Sequence, residues 1–409
     1  MTGPMATPEA LIDPGLPQQG GYRAEAPGRH SVGGADPQNL GPGGSVVAGE
    51  TRPAAATAEI DALLTEMVDA GGSDLHITAG IAPSVRVDGE LRPAPDKPRL
   101  LPADTERMVR SFLTDEQWER FCTDNELDTA YTIPSVSRFR VNVFRQRGSV
   151  GAAFRSIPHH IRSLMDLGVP SSVEQFSQLP RGLVLVTGPT GSGKSTTLAS
   201  LLDVANKTRY AHIVTIEDPI EYLHRHGTCV VNQREVGTDT ADFSVALKHV
   251  LRQDPDIILV GELRDLETTS VAITAAETGH LVLATLHTKS AAQTIDRLID
   301  IYPHAQQQQI RAQLANALEG VVTQALLPKR NGGRVVVCEV MVSTPAIRSL
   351  IREDKVHLIP SYVQSGSDVG MISFDQHLAD RYREGLVTKH VALEMAQDAG
   401  EFRRLAGLV

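Results

Sequence analysis

The chain has 409 residues and is acidic, with 39 lysines and arginines, 49 aspartates and glutamates, and a formal net charge of −10. At roughly 150 residues per domain, this length predicts two or three domains, and the charge argues against duplex nucleic acid as a partner. No apolar run approaches the ~20 residues of a membrane-spanning helix, and no signal-peptide pattern is present. The three cysteines form no CxxC pair, which argues against a disulfide scaffold and a zinc site. We therefore expect a cytoplasmic protein.

Residues 1–57 have the composition of a Gly/Pro/Ala-rich tail. The run Gly41-Pro42-Gly43-Gly44 is typical, and no apolar period is visible. Such a segment cannot bury enough apolar surface to offset the entropy lost on ordering. The sequence predicts disorder over this stretch and indicates no activity for it.

Residues 58–158 have the pattern of a small α+β domain. Apolar residues at helical spacing between Ile60 and Val68 predict an amphipathic helix that ends at Gly71-Gly72. Further elements are predicted in chain order: a strand at 74–77, a hairpin turning at Asp88-Gly89, a helical pattern over 103–121, and alternating strands over 137–156.

Residues 166–409 have the pattern of a nucleotide-binding α/β domain. Strands that are apolar on both faces and alternate with helices predict a parallel sheet covered on both sides. A later helix is predicted to carry its buried stripe through Leu318 and Val321. After Leu327 we expect one strand, at 334–342, and three helices. The apolar strand runs are 183–186, 212–216, 257–260 and 281–284.

A phosphate-binding loop follows the first of these strands. It fits G-x-x-x-x-G-K-[ST] and lies between a predicted strand and a predicted helix, as this motif requires. Its glycines let backbone N–H groups point at phosphate oxygens, Lys194 reaches the β- and γ-phosphates, and the Ser195 hydroxyl ligates Mg²⁺. The predicted nucleoside-triphosphate site consists of Gly188, Pro189, Thr190, Gly191, Ser192, Gly193, Lys194, Ser195 and Thr196.

Acidic residues follow two of the predicted strands. Glu262 comes after the strand at 257–260, and Glu217, Asp218 and Glu221 come at the end of the strand at 212–216. Ligands of parallel α/β sheets collect at the carboxyl ends of the strands, so both clusters should face the phosphate loop. Nucleotide hydrolysis needs a group that positions or deprotonates water, which a carboxylate can do.

Two histidines bracket the strand run at 281–284, His280 before it and His287 after it. A neutral imidazole at the carboxyl end of this strand can contact the γ-phosphate. Read alone, each histidine is better explained by a structural role.

The alternating residues at 137–156 predict a hairpin that presents two arginines. A two-residue turn at Arg147-Gly148 pairs Val141 with Phe154 on the core face and places Arg140 opposite Arg155 on the other face. Facing like charges destabilise a hairpin, so we expect an anionic partner. The nucleotide of a neighbouring subunit would provide one, and the arginines would then act in trans. A solvated sheet face that binds nothing is the alternative.

These motifs resemble the type II/IV secretion ATPase superfamily and, within it, the pilus-retraction (twitching-motility) ATPases of type IV pili. The superfamily features are the Walker A loop at 188–196, an acidic box at 215–222, an atypical Walker B at 259–265 and a histidine box ending at 285–288. Features similar to the retraction branch are found at 73–76, 85–89, 346–353, 364–366 and 370–371. The sequence also lacks the tetracysteine insertion that many extension and secretion ATPases carry.

The resemblance implies a RecA-like P-loop NTPase domain with a smaller N-terminal PAS-like α+β domain, assembled as a homohexameric ring with ATP at the subunit boundaries. It implies hinge motion near 156–165 and a pull on an inner-membrane pilus platform protein. The motor would lie at the inner face of the cytoplasmic membrane, held there only through partners, with no nucleic acid bound.

The resemblance also assigns roles to particular side chains. Lys194 and Ser195 would bind phosphate and Mg²⁺, and Glu262 would activate water. The remaining implied roles are metal or water support by Glu221, coupling of the γ-phosphate to domain movement by His287, and completion of the site by Arg140 and Arg155.

Three other functions stay open at this point. A regulator that binds ATP and hardly hydrolyses it is disfavoured by the presence of Glu262 and Glu221. A nucleic-acid translocase is disfavoured by the negative charge and by an aromatic content of 4%, which leaves few rings for base stacking. A motor for pilus extension or protein secretion is the third alternative, and analogy of fold alone does not exclude it.

Overall fold

The computed structural model describes residues 54–87, 89–134, 136–157 and 161–408. Most of the predicted tail, the turn residue Asp88 and the middle of the predicted hinge at 156–165 lie outside these ranges. The last four residues of the predicted tail, 54–57, are described and form the first turn of helix α1, Ala54–Asp69. The amphipathic helix therefore begins earlier than its apolar stripe indicated.

The N-terminal part is a six-stranded antiparallel sheet with helices against one face. The strand order is β3-β2-β1-β6-β5-β4. After α1 its elements are β1 Asp74–Ile77, β2 Ser84–Val87, β3 Glu90–Pro93, α2 Pro102–Phe112, α3 Asp115–Asp124, β4 Glu126–Ile133, β5 Ser137–Gln146 and β6 Ser149–Ile157. The helical pattern at 103–121 forms two helices because Leu113 is extended and Thr114 caps α3 by accepting a hydrogen bond from the backbone N–H of Gln117. Strand β4 was not predicted.

The predicted register of the β5–β6 hairpin is confirmed. Val141 pairs with Phe154, and Arg140 pairs with Arg155. The turn residues Arg147 and Gly148 both have positive φ, 50° and 79°, as a two-residue turn between twisted strands requires. The apolar face of the hairpin is buried with residues of α1 and α2, whereas Arg140 and Arg155 are exposed on the opposite face.

The C-terminal part is a seven-stranded sheet of order β13-β12-β7-β11-β10-β8-β9. All neighbouring strands are parallel except β13, which is antiparallel to β12. Its strands are β7 Gly182–Thr187, β8 His212–Glu217, β9 Val230–Glu235, β10 Ile257–Val260, β11 Leu281–Leu286, β12 Leu318–Pro328 and β13 Arg334–Val342. Its helices are α4 Leu164–Leu167, α5 Lys194–Thr208, α6 Phe243–Val250, α7 Leu266–Glu277, α8 Ala291–Asp300, α9 His304–Ala317, α10 Pro345–Arg352, α11 Ile359–Ser365, α12 Phe374–Arg383, α13 Lys389–Met395 and α14 Ala399–Leu405.

Both faces of this sheet are covered, as the apolar strands predicted. Along β7, Leu183 and Leu185 belong to one apolar core, and Val184 and Val186 belong to another on the opposite face. Alternate residues of a strand point to opposite faces, so a strand in two cores must be apolar throughout. The predicted α/β fold class is confirmed.

The structure corrects the prediction for the region after Pro303. Helix α9 ends at Ala317, and Leu318 and Val321 lie on strand β12, between β7 and β13. Leu318 and Val321 lie four and seven positions after Leu314 and so keep the helical spacing. They are nevertheless extended, because β12 pairs with β7 on one side and β13 on the other. The described residues after β13 form five helices of seven residues or more, against three expected. Strand β9 was also missed.

Helices long and apolar enough to cross a membrane do not occur among the described residues.

Candidate functional site

A cavity of about 440 Å³ lies at the carboxyl ends of β7, β8, β10 and β11. Its walls include the phosphate loop, the acidic box, Glu262 and His287. The two acidic clusters thus face the phosphate loop, as expected from the rule that ligands collect at this edge of a parallel sheet. The predicted loop residues that line the cavity are Thr190, Gly191, Gly193, Lys194, Ser195 and Thr196.

The other three loop residues, Gly188, Pro189 and Ser192, do not line this cavity. A Cβ on Gly188 would lie 2.2 Å from the backbone oxygen of Gln324, so only glycine fits at this position. Ser192 is buried, and its backbone oxygen accepts a hydrogen bond of 2.7 Å from the Gln324 amide nitrogen. Pro189 lines a separate cavity. Gln324, on β12, therefore holds the loop that ends at the start of α5, where helix N–H groups favour an anion.

The Lys194 ammonium group lies among oxygens of its own loop. Its Nζ donates to the backbone oxygens of Gly188, at 2.9 Å, and Pro189, at 3.3 Å. Burial lowers the pKa of Lys194, and the nearby carboxylates of Glu262 and Glu221 oppose this effect. Anionic groups that join this cavity would therefore favour the charged form of the lysine.

Glu262 and His287 form a chain of polar contacts with Lys194. His287 Nδ1 lies 3.4 Å from Lys194 Nζ, and His287 Nε2 lies 3.3 Å from Glu262 Oε1. The other carboxylate oxygen of Glu262 accepts a hydrogen bond of 2.7 Å from Arg264 Nε. When Nδ1 accepts from the lysine, Nε2 carries the proton and donates to Glu262. The histidine thus connects the lysine of the phosphate loop to the carboxylate of Glu262.

The acids of the acidic box occupy different environments. Glu217 accepts hydrogen bonds from Thr215 Oγ1, at 2.6 Å, and Gln233 Nε2, at 3.1 Å. Burial is the main cause that raises its pKa. Asp218 and Glu221 are exposed and line the cavity. Glu217 also lines the cavity, but Thr215 and Gln233 already engage its carboxylate, whereas Glu221 is available to a ligand.

The arginines Arg140 and Arg155 do not line this cavity. Arg155 Nε donates to Asp74 Oδ1 at 2.8 Å, because β1 pairs with β6 and places Asp74 beside Arg155. Burial raises the pKa of Asp74, but hydrogen bonds from Ser73 and Arg155 outweigh this and lower it. Arg155 thus has an internal anionic partner, and the interpretation that the two arginines act on the nucleotide of a neighbouring subunit stays a prediction. Arg140 is exposed.

Sequence reasoning missed several residues of the cavity. Arg264 follows Glu262 by two positions, and this closeness in sequence could have indicated it. The Tyr222 hydroxyl lies 2.8 Å from Thr196 Oγ1, and burial lowers the pKa of His224 to about 4, so its imidazole is neutral near pH 7. Arg334 reaches the cavity from β13, which no local signal indicates. His280 does not line the cavity.

The family model described as type II/IV secretion system protein matches residues 51–374. The type IV pilus retraction ATPase PilT of Pseudomonas aeruginosa is 49% identical over 339 residues, which is 83% of this chain and 98% of that protein. A twitching motility protein of Neisseria gonorrhoeae is 44% identical, over 78% of this chain and 85% of that protein.

A solved structure shows the same fold. The crystal structure of the pilus retraction motor PilT with bound ADP superposes with a TM-score of 0.78 at 47% identity, and the match covers 84% of this chain and 98% of that one. The motifs at 188–196, 215–222 and 259–265 lie within the matched family region. The chain therefore belongs to the type II/IV secretion ATPase family, and its relatives confirm the predicted resemblance to the pilus-retraction ATPases.

Proposed function

We propose that this ATPase is a hexameric motor subunit that hydrolyses ATP to power retraction of a type IV pilus. The observation that carries the proposal is one cavity containing a phosphate loop, Glu262 and Glu221 in a chain similar to retraction ATPases along most of its length. The same relatives favour retraction over the alternative of pilus extension or secretion. Binding of ADP by one of them supports a nucleotide in this cavity.

The residues present fit Mg²⁺ bound together with ATP. The Ser195 hydroxyl and the carboxylates of Glu221 and Glu262 line one cavity, and all are oxygen ligands. The described part of the chain has no group of three or more His, Cys, Asp or Glu residues arranged to hold a metal by themselves. Mg²⁺ is commonly held by few protein ligands together with substrate phosphates. When bound, the ion neutralises charge on the phosphates.

The proposed hydrolysis uses groups already in contact. Lys194 and the loop N–H groups hold the β- and γ-phosphates, and Glu262 accepts a hydrogen bond from the attacking water. Phosphate at the γ position would draw Lys194 Nζ away from the Gly188 and Pro189 oxygens and change its contact with His287. Because His287 also contacts Glu262, a shift of the histidine would move this carboxylate. The nucleotide state would in this way be coupled to the position of neighbouring segments.

The proposal includes the larger assembly. Domains at 58–158 and 166–409 would rotate about residues 156–165 in a homohexamer, with each nucleotide at a subunit boundary. The motor would work on an inner-membrane platform protein, at the cytoplasmic face of the membrane. Arg140 and Arg155 would complete a neighbouring subunit's site.

Replacing Arg140 or Arg155 with alanine should lower kcat by at least about tenfold while leaving nucleotide affinity nearly unchanged, because an arginine that acts in trans stabilises transition-state charge. Purified hexamers would be assayed for phosphate release and ADP affinity. Asp74→Asn is the control, since it removes the carboxylate charge facing Arg155 and keeps both arginines. Mixing Arg155→Ala subunits with Lys194→Ala subunits should restore activity if the arginine acts in trans. Unchanged turnover in both arginine variants would contradict the role.

Surface pilus number tests the function itself. A strain that lacks this chain and a strain that carries Glu262→Ala should both show excess surface pili and lose twitching motility, because pili would be assembled and not withdrawn. The same strain complemented with the wild-type chain is the control. Cells without pili would mean that the motor drives assembly, and a normal pilus number with normal motility would remove it from the pilus system.

A further inference from the structure

An ion pair joins the N-terminal sheet to the C-terminal sheet. Arg138, on β5, places its Nη2 3.3 Å from Glu235 Oε2, on β9. The two side chains are only 14% and 8% exposed. Arg138 lies on the same sheet face as Arg140, since alternate residues of a strand share a face. This face of the N-terminal sheet therefore contacts the other sheet through a nearly buried charge pair.

The same carboxylate also holds the acidic box. Glu235 Oε2 accepts a hydrogen bond of 3.1 Å from the backbone N–H of Ile220. Ile220 is buried and precedes Glu221, which lines the nucleotide cavity. One oxygen atom thus contacts both the arginine of the N-terminal sheet and the main chain beside a proposed catalytic carboxylate.

The energetics of burial make the two contacts depend on each other. A buried carboxylate that loses its cation is left with an uncompensated charge, which is strongly unfavourable. Glu235 would then have to move toward solvent, and its hydrogen bond to Ile220 would weaken. The pair is also incompletely satisfied, because Arg138 Nε is buried without a hydrogen-bond partner among the described residues. The two contacts of Glu235 Oε2 are therefore expected to be made and lost together.

We propose that Arg138 and Glu235 form a positioning contact. Through it, the position of the N-terminal sheet determines the position of the acidic box, and so of Glu221, for hydrolysis. Neither residue lines the nucleotide cavity, so both act through Ile220 and Glu221 and are not catalytic residues. The inference rests on the proposed ATPase mechanism and adds a route by which a moving domain controls its own nucleotide site.

The test uses the full-length assembled protein with Mg²⁺ and ATP. Arg138→Met removes the charge and keeps the side-chain length, and Glu235→Gln removes the opposite charge and keeps an acceptor for Ile220. Loss of one charge-assisted hydrogen bond predicts a fall in kcat of about tenfold in each, with a change in KM for ATP below about twofold. The kcat of the double variant should be no lower than that of the slower single variant, because the two substitutions remove the same contact.

Two further variants separate positioning from general stability. Arg138→Lys keeps a cation and should recover most of the lost kcat. Arg92→Met is the matched control: Arg92 lies in the same sheet, but its ion pair of 2.5 Å with Glu90 is exposed on its own strand. It should leave kcat unchanged. Thermal unfolding of every variant shows whether it is folded. If Arg138→Met is not folded, the kcat of Arg138→Lys is compared with that of the wild type instead.

Three outcomes would overturn the inference: wild-type kcat in Arg138→Met, fully additive losses in the double variant, or no recovery with lysine. Each of these leaves the proposed function standing, since the wild-type protein still hydrolyses ATP. A wild-type hexamer without Mg²⁺-dependent turnover would instead reject the proposed function.

Discussion

Replacing Lys194 with alanine is expected to abolish ATP hydrolysis and to weaken nucleotide binding by about a hundredfold or more. Lys194 is the cation that lines the cavity from the phosphate loop, and charge-assisted hydrogen bonds to phosphate contribute about 1.5–3 kcal/mol each. Its loss also removes the contacts with the Gly188 and Pro189 oxygens that support the loop. Calorimetric titration with ADP and ATP measures the affinity, and phosphate release measures the turnover.

Lys207→Ala is the matched control for this change. Lys207 lies on the same helix, α5, but it is exposed and pairs with Asp203 at 2.6 Å. Its replacement should leave both affinity and turnover unchanged. If Lys194→Ala binds ATP as tightly as the wild type, the cavity at 188–196 is not the nucleotide site.

Replacing Glu262 with glutamine is expected to separate binding from hydrolysis. The amide keeps an oxygen near Arg264 Nε but cannot accept a proton from water, and loss of a general base lowers kcat by about 10²–10⁴-fold. Affinity for ATP should stay within about threefold of the wild type, since the phosphate-binding groups are untouched. Single-turnover assays with radiolabelled ATP would show bound, uncleaved nucleotide.

Glu267→Gln serves as the control, because Glu267 is an exposed acid that pairs with Lys248 away from the cavity. Its variant should hydrolyse ATP at the wild-type rate. Turnover retained in Glu262→Gln would transfer the role of base to another group, and Glu221 is the next carboxylate to test.

Local pattern was sufficient for much of the site. The phosphate loop is contiguous, and its G-x-x-x-x-G-K-[ST] spacing can be read without a fold. Glu262 and Glu221 each follow a strand that is apolar on both faces, and parallel strands bring their carboxyl ends together wherever they lie in the sheet. The pairing of Arg140 with Arg155 was predictable because a two-residue turn determines every pair of its hairpin.

Contacts between distant segments were not predictable in this way. Asp74 lies 81 positions before Arg155, and only the pairing of β1 with β6 places the two side chains together. Gln324 supports the phosphate loop from β12, a strand whose first residues keep a helical spacing with the preceding helix. Leu318 and Val321 became strand residues because β7 and β13 were available to pair with them.

The sequence by itself determined the phosphate-loop motif, the two-faced parallel sheet and the family, because these depend on short-range patterns of residue type and spacing. The tertiary structure alone decided which charges meet: Arg155 with Asp74, His287 between Lys194 and Glu262, and Arg138 with Glu235. The physical reason is that an ion pair depends on the distance between side chains in space, and sequence spacing leaves that distance undetermined until sheet order and packing are set.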